Sequence, residues 1–367
     1  MVLVKEIQSV DQHHPGAPHP SSSGRGEFCF GQHALKPATT FPELEKSSRM
    51  GRIMLYNRRE IGKLALSAVG LLSGIGFRRS VFSQNKPDSK WAGVQVGLNV
   101  PYNFGGRTMG VDEIIERTVR LGVNAIELRS QPVEAFLGSP DKSVYAAPVP
   151  QAVAARKAGA GEKSKWRAAV SMDKVRECRQ KFESAGIAIE IMKVDDIYVR
   201  SDEELDYFFR LAKALGARAI SCEISDPLDG TKRVGQFADK HRMMVGYHGH
   251  TKVTPAIWEE AFTYARFNGA NLDLGHFLGG NKTSPVPFLK KHHDRITHIH
   301  VKDKTLGDKN VSFGMGDTPI KEALQVIRDN KWNIQATIEF EYPVPPGSDR
   351  MMEMAKCVQY CKSALLG

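Results

Sequence analysis

Cysteine is scarce and follows no framework. Cys29, Cys178, Cys222, Cys357 and Cys361 have neither the even pairing of a disulfide-stapled domain nor the short spacings of a zinc knuckle. Cys357 and Cys361 stand one helical turn apart and read as buried helix residues rather than a redox pair. No Gly-x-Gly-x-x-Gly run follows the first strand-like segment, which removes support for a dinucleotide-binding fold. A concentrated positive face is missing too. The formal charge is +10, but residues 1–87 hold 12 Lys+Arg against 6 Asp+Glu and the rest of the chain 39 against 35. A small surplus dispersed over a large body is a solvated surface and argues against nucleic-acid binding. The remaining composition is that of a soluble globular protein. At 367 residues the chain can form one domain of about 250 residues with an extension, or two smaller domains.

The amino-terminal part carries an address instead of a core. Tyr56-Asn57-Arg58-Arg59-Glu60-Ile61-Gly62-Lys63 precedes the apolar run Leu64 to Phe77. That run is too short for a confident membrane span, and Gly70, Gly74 and Gly76 with few charges leave it no polar face. A basic pair before such a run resembles a twin-arginine signal, which implies the export machinery as a partner and the periplasm, or its membrane face, as the destination. No clear Ala-x-Ala follows, so cleavage near Ser83 to Lys86 and anchoring both stay open. Residues 1–53 are rich in Pro, Ser and His and cannot bury a core. They are expected to be a disordered extension or to lie ahead of a true start at Met50 or Met54. Residues 54–87 are then signal and linker, and 88–367 the folded body.

In the body, strand-like apolar runs alternate with helical patterns. Val94–Val100, Ala125–Leu128, Ala188–Met192, Ala219–Ile224, Met243–Tyr247, Ala270–Leu274, Ile296–Val301 and Ala336–Phe340 are eight strand candidates. Helices are expected over Val111–Leu121, Met172–Ala185, Asp202–Leu215, Pro255–Phe267, Val286–His293 and Ile320–Asn330, with Gly122, Gly186, Gly216 and Gly269 as caps before the next strand. Eight βα repeats predict an α/β protein of the (β/α)8 TIM-barrel class, whose functional residues stand at the carboxyl ends of the strands. Gly138 to Ser171 is an abnormally long connection, expected to be a lid or a disordered insertion.

Three strand ends carry unusual chemistry: Leu272-Asp273-Leu274-Gly275-His276, His298-Ile299-His300-Val301-Lys302-Asp303 and Ile338-Glu339-Phe340-Glu341. Side chains alternate across a strand, so His298 and His300 share one face and Glu339 and Glu341 likewise oppose Phe340. Acid and imidazole converging from three strands point to a divalent metal centre. Mn, Mg, Co and Zn all suit such a mixed site.

Leu-Asp-x-Gly-His, His-x-His-x-Lys-Asp and Ile-Glu-x-Glu, in this order, resemble the motifs of xylose-isomerase-like barrels, which include sugar isomerases and epimerases, inosose dehydratase and endonuclease IV. The resemblance covers about Gly93 to Leu366. It implies Asp273, His300 and Glu339 as metal ligands, His276 as a further ligand or substrate contact, and Lys302 as proton donor or electrostatic clamp. The fifth strand departs from many members: Tyr247-His248-Gly249-His250 stands where they carry a Glu, and resembles inosose dehydratase-like members. Glu223 is therefore expected to complete the metal set, with His250 as the alternative, and His248 and His250 are expected beside the substrate as acid-base groups with Lys302. Glu127, Glu190 and Glu341 are expected to be inward polar or substrate-contacting residues. Asp303 is expected to hold the loop after the seventh strand, and Asp317 or Thr318 to cap the last barrel helix.

A metal bound by two adjacent sugar oxygens makes the neighbouring carbon acidic. The expected function is a metal-dependent isomerase or epimerase of a sugar or keto-sugar, with an inosose dehydratase-like or 3-keto-glycoside lyase as the alternative. An abasic-site endonuclease lacks its additional histidines here, since the second and third strands end in Glu127-Leu128-Arg129 and Glu190-Ile191-Met192. A non-catalytic carbohydrate-binding barrel would be expected to lose the acids and bases that this chain retains. Replacing Arg58 and Arg59 together with Lys is expected to retain the protein in the cytoplasm of a bacterial host with an intact twin-arginine pathway. Unchanged periplasmic recovery of that variant would remove the export reading.

Overall fold

The computed structural model describes residues 86–106, 109–140 and 161–367. The segment read as an export signal, the extension before it and the middle of the long connection lie outside the described residues. No helix among the described residues is long and apolar enough to cross a membrane.

A two-residue strand, β1 (Lys90–Trp91), pairs antiparallel with β2 (Val94–Val100). Strands β3 (Ala125–Arg129), β4 (Ala188–Lys193), β5 (Ala219–Glu223), β6 (Met244–His248), β7 (Asn268–Asp273), β8 (Ile296–Val301) and β9 (Gln335–Ile338) follow, each parallel to the one before. Pairing of β9 with β2 closes an eight-stranded parallel barrel. The helices are α1 (Val111–Arg120), α2 (Ser130–Phe136), α3 (residues 161–169), α4 (Met172–Ser184), α5 (Asp202–Leu215), α6 (Asp229–His241), α7 (Pro255–Tyr264), α8 (Leu274–Asn281), α9 (Val286–Lys291), α10 (Ile320–Asp329) and α11 (Arg350–Leu366). This is the (β/α)8 architecture expected from the repeat. Local signals explain the boundaries that sequence located well. In α5, Ser201 and Glu204 form a reciprocal capping box and Gly216 ends the helix at φ +81°; α7 starts on Pro255.

The outward face of the strands is mostly apolar, an exception being Asn268 of β7, which accepts from Tyr247 Oη and donates to Ala261 O. Leu98, Ile126, Leu128, Leu272, Ile299 and Val301 are completely buried beneath the helices, and this annulus is the main hydrophobic core. The inward face is polar, where branched aliphatic residues usually fill such a barrel. Glu127 on β3 bonds His300 on β8 across the barrel, and Asn271 on β7 reaches Ser221 on β5. Bonds between strands that are not neighbours in the sheet must run through its interior.

Several expectations need correction. Glu190 does not end its strand. Ile126 pairs with Ile189 but Glu127 with Ile191, so Glu190 is an extra, bulged residue that shifts the alternation of β4. Its carboxylate pairs with Arg218 at 2.8 Å beside Gly186, Ile187 and Gly216, at the amino-terminal end of the barrel. Gly269 is not a helix cap but a strand residue, where a Cβ would meet Arg295 O at 2.3 Å. The N-cap of α10 is Pro319; Thr318 Oγ1 instead accepts from Lys304 N and Asp317 accepts from Leu306 N. Asp303 holds the glycine turn as expected, accepting from the backbone N–H groups of Gly314, Gly316 and Thr318. Cys357 and Cys361 are buried in α11. α6 and α8 were not anticipated, because Gly230, Gly235, Gly275, Gly279 and Gly280 lower local helix preference.

The described end of the Gly138–Ser171 connection is neither lid nor disordered. Arg167 on α3 is buried, its guanidinium bonded to Glu134 of α2 and Glu204 of α5. Burial alone would raise the Glu134 carboxyl, but Arg167 and Lys163 hold it below the ordinary range. Its contribution to stability is therefore present above the unfolded carboxylate pKa and lost as pH falls through the lower folded value. Arg167→Leu leaves buried Glu134 with Lys163 alone and takes the guanidinium from Glu204, and is expected to cost roughly 3–5 kcal/mol in denaturant unfolding near pH 7. The loss should shrink at acid pH, and an unchanged midpoint at pH 7 would show that the triad does not anchor α3.

Candidate metal centre and active site

Four donor residues converge at the carboxyl ends of consecutive strands: His248 of β6, Asp273 of β7, His300 of β8 and Glu339 just past β9. They are buried, and their ligand atoms lie within 4.8 Å of one another. In each case the other polar atom of the side chain is already held. Asp273 Oδ1 accepts from the His276 backbone N–H at 2.7 Å, capping α8. Glu339 Oε1 accepts from Asn99 Nδ2 at 2.9 Å. His300 Nε2 lies 2.6 Å from Glu127 Oε2, and His248 Nδ1 lies 2.9 Å from Glu223 Oε2. What is left over points inward: His300 Nδ1 sits 3.2 Å from Glu339 Oε2 and 3.8 Å from Asp273 Oδ2, and His248 Nε2 sits 3.5 Å from Asp273 Oδ2. His300 Nδ1 and Glu339 Oε2 are both buried, and Glu339 Oε2 also lies 2.7 Å from Lys302 Nζ. Two carboxylates and two imidazoles with inward lone pairs fit a divalent cation, and the carboxylate behind each imidazole fixes its tautomer and orientation.

Lys302 lies among the acids. Its Nζ is 3.1 Å from Asp273, 2.7 Å from Glu339 and 2.8 Å from Glu341, and also 2.9 Å from His276 Nε2. Burial disfavours this ammonium, but Asp273, Glu339 and Glu341 raise its pKa well above the usual lysine value. Burial likewise works against the carboxylates; His300 and Lys302 hold Glu339 well below the usual range, and Lys302 with His276 does so for Asp273. Burial would lower His300, yet Glu339 and Glu127 push it up to about 10. His276 moves the other way. Burial, with Lys302 and His248 near it, takes it down to about 4, so at neutral pH its imidazole is uncharged.

The residues expected from sequence thus divide. Asp273, His300 and Glu339 come together with His248, while Glu223 belongs to a second cluster, with His248 and His250, whose ligand atoms also lie within 4.8 Å of one another. Glu223 lies behind His248, between that ring, His250 Nε2 at 3.0 Å and Lys193 Nζ at 2.7 Å. His250 is 60% exposed on the rim, its ring 4.7 Å from that of His276. Glu341 accepts from Tyr102 Oη at 2.7 Å and from Asn310 Nδ2 at 3.3 Å. Glu190 is remote, as described above. Lys193, Asn99 and Lys304 were not anticipated. The bulge at Glu190 hid Lys193, an Asn in an apolar strand carries no metal signal, and Lys304 meets His276 Nδ1 at 3.2 Å only through a turn beyond β8.

No family model matches the chain. An inosose dehydratase of Clostridium tetani (strain Massachusetts / E88) is 25% identical over 142 residues, covering 32% of this chain and 47% of that protein, so the match spans about half of the relative's length. Three solved structures superpose with a TM-score of 0.51. They are D-psicose 3-epimerase with D-tagatose from Clostridium cellulolyticum H10 (11% identical, 74% of this chain and 99% of that one), the probable 3-DHS dehydratase of petrobactin synthesis from Bacillus anthracis (14%, 72% and 98%) and a xylose isomerase domain protein from Planctomyces limnophilus (16%, 75% and 97%). At these identities the likeness is one of fold, a (β/α)8 barrel.

Glu127→Gln keeps the size of the side chain but removes the charge behind His300. It is expected to weaken divalent-metal affinity roughly 10–100-fold in competition with a chromophoric chelator. Asp273→Asn retains an acceptor for the α8 cap and is expected to lose most bound metal while remaining folded by circular dichroism. Metal at the wild-type level in the Asp273→Asn protein would refute the assignment.

Proposed function

We propose that this chain is a divalent-metal-dependent isomerase or epimerase of a sugar or keto-sugar, acting by proton abstraction beside a carbonyl and exported by the twin-arginine route. The observation that carries this reading is the set of four buried donors, each held through its far atom, next to an uncharged imidazole and an ammonium. His248, Asp273, His300 and Glu339 would hold the ion. Two imidazoles favour Mn, Co or Zn over Mg, which prefers an all-oxygen shell. The ion supplies polarisation of a carbonyl and acidification of the adjacent C–H.

The protein's own groups supply the rest. His276 is neutral at working pH and can accept a proton at an imidazole nitrogen, and Lys302 can donate one at Nζ or clamp a substrate oxygen. His250 stands beside His276 on the rim as a second proton carrier. Glu223 and Glu127 act through the imidazoles they orient, and Glu341 with Asn310 and Tyr102 offers hydrogen bonds to hydroxyl groups. In this reading His248 is a ligand instead of the acid-base group expected from sequence, because its Nδ1 is committed to Glu223 and its Nε2 faces Asp273.

A second reading, dehydratase or lyase, is supported by His276 standing between His250, its ring 4.7 Å away, and Lys302, whose Nζ is 2.9 Å from His276 Nε2. A base and an acid next to each other suit removal of a proton and loss of a neighbouring hydroxyl or alkoxyl, and the curated relative is an inosose dehydratase. NMR of the metal-loaded chain with keto-sugars in D₂O separates the two. An isomerase or epimerase is expected to place deuterium on the carbon beside the carbonyl, whereas a lyase releases water or an aglycone. His276→Gln should lower turnover by about 10² to 10⁴ with metal retained. Quantitative carry-over of the substrate proton into product would overturn proton abstraction by a solvent-exchanging base.

A further inference from the structure

Two cavities open beside the donors. The larger, of about 720 Å³, starts at Glu223, His248 and His250 and mixes Asp226, Asp229 and Glu260 with Lys232 and Lys252. Acids and bases there offset one another. The smaller, of about 500 Å³, is lined by Tyr102, Gly105, Asn310, Phe340, Glu341 and Arg350. It adjoins the donors, because Glu341 and Glu339 share the Lys302 ammonium at 2.8 and 2.7 Å.

The charges of the smaller cavity are unequally matched. Each oxygen of Glu341 already has a partner: Oε1 accepts from Tyr102 Oη at 2.7 Å, and Oε2 accepts from Asn310 Nδ2 at 3.3 Å beside Lys302. Arg350, in the first turn of α11, is the opposite case. Its Nη1 donates to the Asn103 carbonyl at 3.0 Å and its Cζ lies 4.8 Å from the centre of the Phe340 ring, but among the described residues no carboxylate pairs with it. A half-buried guanidinium thus faces the cavity with Nε and Nη2 uncommitted. Gly105 keeps the Nε edge clear, since at its φ of +78° a Cβ would come within 3.3 Å of that atom. Asn310 Oδ1 is a buried acceptor without a hydrogen-bond partner.

The edge of a guanidinium matches a planar carboxylate through two parallel hydrogen bonds. An unfilled amide oxygen beside it suits the hydroxyl on the next carbon. A phosphate would bring a second negative charge to a cavity that has one cation and a carboxylate in its wall.

We infer that the substrate is a sugar acid: a keto-sugar or aldose with a carboxylate at the end of the chain away from its carbonyl. The carboxylate lies on Arg350 and the neighbouring hydroxyl on Asn310 Oδ1. This inference rests on the sugar-processing reading above and narrows its substrate class. The carbonyl stays available to the donors, and the charge pair holds a part of the substrate that does not react, so Arg350 determines specificity.

Calorimetry on the full chain supplied with Mn²⁺ tests it with pairs that differ only in a carboxylate for a hydroxymethyl group: 5-keto-gluconate with L-sorbose, glucuronate with glucose, and galacturonate with galactose. At least one acid is expected to bind about tenfold or more tightly than its neutral partner. Arg350→Gln should bring that ratio towards one, and Arg350→Lys, which keeps the charge but loses the fork, should fall between the two. An acid preferred only because it chelates the ion would keep its advantage in Arg350→Gln, so survival of the ratio in that variant would overturn the inference. Equal affinity within every pair, no detectable binding of any acid, or tighter binding of glucose 6-phosphate than of every acid would do the same. Deuterium uptake from D₂O beside the carbonyl of any of these sugars reports on the parent reading alone. Uptake without acid preference removes the carboxylate subsite only, and acid preference without uptake or elimination removes the proposed chemistry only.

Discussion

Everything at the barrel mouth depends on one constraint: a buried donor must be held by the atom it does not offer. A carboxylate or imidazole taken out of water is costly unless its hydrogen-bonding capacity is met. Asp273, Glu339, His300 and His248 meet half of theirs with a helix N-terminus, Asn99, Glu127 and Glu223 respectively. The remaining polar atoms face one another and the Lys302 ammonium at one point. Lys302 balances the carboxylates from the same point, and its contacts with Glu341 and His276 couple that balance to the groups that face the cavities.

The same constraint explains why the interior is polar without collapsing the fold. Stability resides in the annulus between strands and helices, where the outward residues are mostly aliphatic and fully buried. The inward positions are therefore relieved of most packing duty and can be assigned to charge pairs inside the barrel. Each pair, such as Glu127 with His300 or Lys193 with Glu223, is costly alone and tolerable together, since every charge has an opposite neighbour within hydrogen-bond reach. Glu127 carries no direct contact with the other carboxylates of the centre, yet it determines which nitrogen of His300 is free.

Closure of the ring sets a second geometry. Residues far apart in sequence, Tyr102 and Glu341, meet because β2 and β9 pair. Glu223 and His248 meet because β5 and β6 do. The donor row stretches between these two seams, and the lining of the cavity beside each follows from which loops happen to rise there.

Strand periodicity and local signals in the sequence determine the eight strands, most helices, the barrel class and three of the converging donors, Asp273, His300 and Glu339. These rest on interactions between residues close in the chain: alternation, capping, and a strand end that changes from apolar to ionisable. Tertiary structure alone decided the rest. Whether His248 or Glu223 offers the inward atom depends on how β5 and β6 lie beside each other, and the two residues are equally ionisable in sequence. The bulge that turns Glu190 away and Lys193 inward is a mismatch between two strands, invisible in either one. Glu127 became the partner of His300 only when the sheet closed, since hydrogen bonds across a barrel join residues 173 positions apart and depend on no local pattern.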